Sequence, residues 1–135
     1  MNAVVDTNVI AYYLLGTQPF SDECSRFWKS VEQAFAPAVW EAEIANVLWM
    51  AVRGRVLSDE ESHRRLYFVA RLGIRSVATR TLWQGALARA LDSGVSVYDT
   101  LFVELAARQR LPLATFDTGL LQAFGDITRC PAALL

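Results

Sequence analysis

Four carboxylates stand where an acid could do chemistry as well as solvate a surface: Asp6, Glu43, Asp99 and Asp117. Asp6 ends the run Ala3-Val4-Val5. That run does not alternate, so it reads as a strand buried on both faces at the centre of a parallel sheet. Asp117 follows a second apolar strand, Leu113-Ala114-Thr115-Phe116. Strand exits at the carboxyl edge of an α/β sheet are where ligands bind. Glu43 lies in the first turn of a helix, on the stripe of Asn46, Val47 and Met50. Asp99 opens another helix, on the stripe of Phe102, Val103 and Ala106. Both stripes lean towards packed surface, where a lone ionised carboxylate is costly.

If the four converge, they repel one another, and either several hold protons or a cation sits among them. Oxygen donors without Cys or His ligands are hard and favour Mg²⁺ or Mn²⁺ over zinc. Such sites commonly act on phosphates. Each acid also has a plainer role. Asp6 could be a turn or cap residue, with Thr7 or Asn8 as the other candidate caps. Ser96-Val97-Tyr98-Asp99 has the spacing of a capping box, Glu43 or Glu41 could complement a helix N-terminus, and Asp117 could cap the last helix. Taken singly, the plain roles are as good as the functional one; the four together favour a site. Other chemistries lack parts. His63, the sole histidine, sits on a polar, arginine-rich stretch without a nucleophile partner. No glycine-rich phosphate loop is present. Asp6 as a phosphorylated nucleophile would want an acid where Asn8 stands, and Lys29 lies far from any strand exit.

The elements that must position these residues belong to a chain of 135 residues, which points to one domain over 1–135. Its 53% hydrophobic content can fill a core and excludes a disordered chain. A net charge of −1 argues neither for nor against nucleic acid. Lys29 is the only lysine; arginines supply the other cations. Cys24 and Cys130 fit neither a metal spacing nor a disulfide scaffold, so a reducing cytoplasm is the simplest setting. The first residues lack the basic start of a signal peptide, and no run reaches membrane-span length.

Strands alternate with helices. Helices are expected over Val9–Leu15, from a Ser21 cap to Ala34, over Trp40–Arg53 and, from the Ser58-Glu61 capping box, to Leu72. More follow from a Thr79 cap to Asp92 with Leu82, Ala86, Leu87 and Ala90 inward, over Val97–Arg110, and over Gly119–Phe124. Besides the two strands ending in Asp6 and Asp117, short ones are expected at Phe35–Val39, at Ile74–Val77 and near Ile127-Thr128. Pro37 would confine the first of these to an edge or a strand start. The result is an α/β domain with a mostly parallel sheet covered on both faces.

The chain resembles the PIN-domain nucleases, in particular the compact VapC-type toxins of toxin–antitoxin pairs. The resemblance rests on Val5-Asp6-Thr7-Asn8, Pro37-Ala38-Val39-Trp40-Glu41-Ala42-Glu43-Ile44-Ala45-Asn46-Val47-Leu48, Tyr98-Asp99-Thr100-Leu101-Phe102-Val103-Glu104-Leu105-Ala106 and Leu113-Ala114-Thr115-Phe116-Asp117. It implies a three-layer α/β/α domain with a central sheet of about five strands. It implies an endoribonuclease in which Asp6, Glu43, Asp99 and Asp117 hold one or two Mg²⁺ or Mn²⁺ ions, with Thr7, Asn8 and Thr115 supporting them. It also implies a homodimer and a small antitoxin whose tail enters the acidic groove. Trp49, Met50 and the helix after Ser58 are candidate dimer surface. Relatives often carry a cation where Gly119 stands, so RNA contact falls to Arg53 and Arg55, then to Arg64, Arg65 and Arg71. Two alternatives stay open: a catalytically weak PIN-like module that binds RNA or protein, and an aspartyl-phosphate phosphohydrolase.

Overall fold

The computed structural model describes all residues, Met1–Leu135. Strand β1 (Asn2–Val5) leads into helices α1 (Thr7–Leu15) and α2 (Ser21–Ser30). Strand β2 (Gln33–Pro37) leads into α3 (Val39–Arg53) and α4 (Asp59–Ala70). After β3 (Arg75–Val77) come a 3-10 turn at Thr79–Thr81, α5 (Trp83–Ser93) and α6 (Val97–Gln109). Strand β4 (Leu113–Ala114) precedes α7 (Thr118–Ala123), and β5 (Thr128–Arg129) precedes a terminal 3-10 turn at Pro131–Leu134. The strands form one all-parallel sheet in the order β3-β2-β1-β4-β5.

That order places the site. The chain builds outwards from β1 to β3, then returns to add β4 on the other side of β1. The reversal between β1 and β4 is a topological switch point, where loops diverge and leave a crevice at the carboxyl edge. Ala3, Val4 and Val5 are each 0% exposed, which requires cover on both faces of β1. They belong to one core cluster with Ile10, Ile44, Phe102 and Leu113, drawn from α1, α3, α6 and β4. No helix is long and apolar enough to cross a membrane.

Several local expectations are corrected. Helix α2 stops at Ser30, not Ala34, because Gln33 and Ala34 pair with Asn2 and Ala3. Phe20, without a side-chain hydrogen bond, occupies the cap position expected of Ser21. Strand β2 is interior, flanked by β1 and β3. Pro37 is tolerated as its last residue, and the N–H of Ala38 makes the next bond to the Val77 carbonyl at 2.8 Å. Thr79 opens a 3-10 turn instead of capping a long helix, and α5 begins only at Trp83. Leu87, expected inward, is 51% exposed. The Ser58–Glu61 capping box forms as expected, with reciprocal bonds of 3.1 Å.

Helices α5 and α6 meet through an ion triad centred on the buried Glu104. Glu104 on α6 accepts from Arg89 on α5 at 2.9 Å and from Arg108 one turn on at 2.6 Å. Arg108 also donates to the Thr81 carbonyl, tying in the 3-10 turn. Burial pushes the Glu104 carboxyl up, but the two arginines outweigh it and hold it below the usual range. The triad needs Gly85: a Cβ there would lie 2.4 Å from the Glu104 carboxyl carbon.

Gly85→Ala is therefore expected to lower stability by about 1–3 kcal/mol through overpacking, read as a fall in Tm. In a double-mutant cycle with Glu104→Ala the two costs should not add, because the second change vacates the space the new methyl needs. Additive costs would refute this account of Gly85.

Candidate active site

The β1–β4 pairing runs up to the first acid: the N–H of Asp6 bonds the Ala114 carbonyl at 2.9 Å. Asp6 itself, with extended φ −74° and ψ 151°, is the N-cap of α1, and its Oδ1 accepts the Thr7 N–H at 2.8 Å. This displaces Thr7 and Asn8 from the capping role expected of them. Their side chains reach outwards instead. The Thr7 hydroxyl donates to Glu43 Oε1 at 2.8 Å, joining two of the acids. Asn8 Nδ2 lies 3.4 Å from both Asp6 Oδ2 and Thr115 Oγ1, and its Oδ1 accepts the Phe116 N–H at 3.3 Å. Thr115, fully buried, donates to Asp6 Oδ2 at 2.8 Å and accepts the Asp117 N–H at 3.0 Å.

The other acids come from three further elements. Glu43 is half-buried in the second turn of α3, not the first turn expected of it, which holds the exposed Glu41. The stripe below Glu43 is more open than its pattern suggested, with Met50 56% exposed. Asp99 is half-buried at the start of α6, and Phe102, Val103 and Ala106 beneath it are buried as expected. Ser96 occupies the N-cap position of α6 but makes no side-chain cap bond, so the capping-box reading of Ser96 and Asp99 falls. Asp117 does cap α7, accepting the Leu120 N–H on Oδ1 at 3.0 Å.

Asp6, Glu43 and Asp99 lie within electrostatic reach of one another, and Asp117 lies within reach of Asp99. Burial raises the Asp6 pKa to about 7 against the hydrogen bonds from Thr115 and Thr7, and the charges of Asp99 and Glu43 add to the rise. Burial, then the Asp99 charge, raises Glu43 despite its bond from Thr7. Burial, then the Asp117 charge, raises Asp99. None of the four has a cationic partner; the ion pairs in the chain are Met1–Glu32 and the two at Glu104. Glu104 shows how this chain neutralises a buried acid with arginines. At the carboxyl edge that compensation is missing.

An all-oxygen donor set with uncompensated negative charge suits a hard divalent cation. The side chains are not closed into a chelate, for no three acidic, His or Cys groups are grouped closely enough to hold an ion as they stand. The fit is therefore one of charge and donor type, with ligand closure left to side-chain rotation.

The cationic candidates separate. Arg65 donates to the Leu14 carbonyl and is committed to holding α4 on α1. Arg53 lies over the Trp49 ring at 4.9 Å. Arg64 and Arg71 line a surface cavity of about 790 Å³ along α4 with His63, Tyr67, Phe68 and Leu72, and none of the four acids borders it. Lys29 is exposed in the last turn of α2. Sequence reasoning missed the Glu104 triad, although the Glu104–Arg108 spacing of four was a readable signal. It also missed the Thr7–Glu43 bond, which has no local signature.

Residues 3–125 match the model of the PIN domain. Ribonuclease VapC3 of Pyrobaculum aerophilum is 30% identical over 128 residues, which is 92% of this chain and 95% of that protein. FitAcB from Neisseria gonorrhoeae shares the fold at a TM-score of 0.70 and 21% identity, over 97% of this chain and 98% of that one. A toxin–antitoxin complex from Klebsiella pneumoniae does so at 0.68 and 16% identity, over 96% and 97%. With a family match over most of its length and a five-stranded parallel sheet carrying acids at its switch point, the chain belongs to the PIN-domain family.

Proposed function

We propose that this chain is a Mg²⁺- or Mn²⁺-dependent endoribonuclease and the toxin of a toxin–antitoxin pair. The observation that carries the reading is a set of carboxylates at the sheet's switch point, Asp6, Glu43 and Asp99 repelling one another and Asp117 acting on Asp99, with no cation to balance them. Similarity to a VapC ribonuclease supports the activity, and structural likeness to toxin–antitoxin complexes supports a small antitoxin partner. The reading includes a homodimer working in the cytoplasm.

Asp6, Glu43, Asp99 and Asp117 would hold one or two ions. A divalent ion bound there supplies an activated water and neutralises charge that grows on the phosphate oxygens. The chain's own residues set the stage. Thr115 and the Thr7 N–H occupy one lone pair on each Asp6 oxygen, which fixes the carboxylate plane. Thr7 holds Glu43 in register with Asp6. Asp117 spends Oδ1 on its helix cap, leaving Oδ2 for a ligand or a bridging water. Arg53, ten residues beyond Glu43 on α3, is about 15 Å along the helix and can meet a phosphate there. The open arrangement of the acids favours a second reading, a weakly catalytic binding module. Carboxylate-dependent Mn²⁺ binding separates the two.

Asp6→Asn and Asp99→Asn should each abolish Mn²⁺-dependent cleavage of single-stranded RNA and growth inhibition while circular dichroism stays native. Cleavage retained in both would sink the proposal. Thr115→Val should cut activity by about 10–100-fold, as loss of a supporting contact does. It should also cost about 1–3 kcal/mol, since the Asp117 N–H loses its acceptor.

Asp6 binds its proton more tightly folded than unfolded, with a pKa of about 7 against 3.8. Its stabilising contribution is complete below about pH 4 and is lost as pH rises through about 7. Glu43 and Asp99 shift in the same direction. In EDTA, Tm should therefore fall between pH 5 and pH 8, less steeply in Asp6→Asn. Mn²⁺ should restore Tm at pH 8 more than at pH 5. A flat or rising profile in EDTA would contradict the uncompensated-acid picture.

A further inference from the structure

Phe116, the residue before Asp117, belongs to an aromatic cluster that the proposed chemistry does not use. Tyr12 on α1 and Phe20 at the start of α2 stack nearly parallel, with centroids 4.6 Å apart and planes at 14°. Phe116 closes the group, 4.8 Å from Phe20 and 5.5 Å from Tyr12. All three are partly buried and keep some exposure, whereas Val9 and Ile10 on α1 are 0% exposed and Leu14 is 3%. Phe116 also packs against the hydrophobic core.

The cluster is tied to the acidic edge by its backbone. Phe116 stands between Thr115 and Asp117, and its N–H is held by Asn8 Oδ1 at 3.3 Å. Tyr12 lies four residues after Asn8 on the same face of α1. Its ring meets Phe116, the residue whose N–H Asn8 holds. Phe20 is anchored through its N–H to the Thr17 carbonyl at 3.0 Å. The three rings are thus carried by the framework that positions Asp6 and Asp117.

We propose that Tyr12, Phe20 and Phe116 form a stacking wall for an unpaired nucleobase of the RNA, next to the phosphate that the acids address. The inference rests on the ribonuclease reading above. A partly exposed aromatic stack joined through Phe116 to the segment carrying Asp117 matches the way single-stranded nucleic acid is held, because every base presents a π-face. It also predicts weak base selectivity at that position.

The test uses a short single-stranded RNA that the wild-type chain cleaves, and the same RNA with an abasic nucleotide beside the cut. Kd is measured by fluorescence anisotropy in an Asp6→Asn background, and KM and kcat in the active chain. Tyr12→Leu should raise Kd and KM by about 5- to 150-fold, the range for loss of a base–aromatic stack, with Mn²⁺ affinity intact. The abasic RNA should lose a similar factor on the wild-type chain, and the two losses should not add when combined. Trp83→Leu, which removes an exposed aromatic from α5, is the control expected to leave Kd unchanged. If Tyr12→Leu unfolds, Phe20→Leu and the abasic RNA on the intact chain carry the same test. Unchanged Kd in Tyr12→Leu, or penalties that add in full, would overturn the wall while leaving the ribonuclease reading in place. A wild-type chain that neither binds nor cuts RNA in Mn²⁺ would remove both.

Discussion

The Thr115 hydroxyl can give its proton to Asp6 because its lone pairs already serve the backbone N–H of Asp117. That single orientation sets much of the rest. It fixes Asp6 Oδ2 as an acceptor, so hydrogen bonding favours the ionised carboxylate where burial opposes it. It joins the exit of β1 to the exit of β4, the two strands that flank the switch point. It also aims the segment carrying Asp117, which then caps α7. A hydroxyl of 109 residues' sequence separation from its partner thereby holds two acids in one frame.

Two ways of burying a carboxylate coexist in this small domain. Glu104 is buried with Arg89 and Arg108 and is held below its ordinary pKa. Asp6 is buried without a cation and is held at about 7. The first arrangement ties helices together and needs Gly85 to let α5 approach. The second leaves the Asp6 charge without a partner in the protein, and perturbed acids of that kind cluster at functional sites. That contrast, more than the acid count, is what supports the proposed divalent ion.

Much of the architecture was legible. The non-alternating Ala3-Val4-Val5 announced a central parallel strand, and the alternation of strands with helices announced the sheet. The Ser58–Glu61 box was right because a cap is a local contract between neighbours. Errors came where tertiary contact overrode local preference. Gln33 and Ala34 left the α2 pattern to pair with β1. Thr7 left the helix cap to bond Glu43. Leu87 was expected inward, yet the packed face of α5 runs through the neighbouring Ala86 and leaves Leu87 exposed.

The site divides in the same way. Sequence by itself determined which acids follow buried strands and open helices, since those are matters of pattern over a few residues. It also determined that the donors are oxygen and that His63 and the cysteines offer no rival set. Only the tertiary structure decided that Asp6 and Asp117 exit adjacent strands and that Glu41 faces outwards while Glu43 meets Thr7. It alone decided that no arginine reaches the acids and that Tyr12 and Phe20 gather on Phe116, the residue before Asp117. Each of these depends on contacts between residues far apart in the chain, and local periodicity carries no information about which distant side chain will supply or withhold a partner.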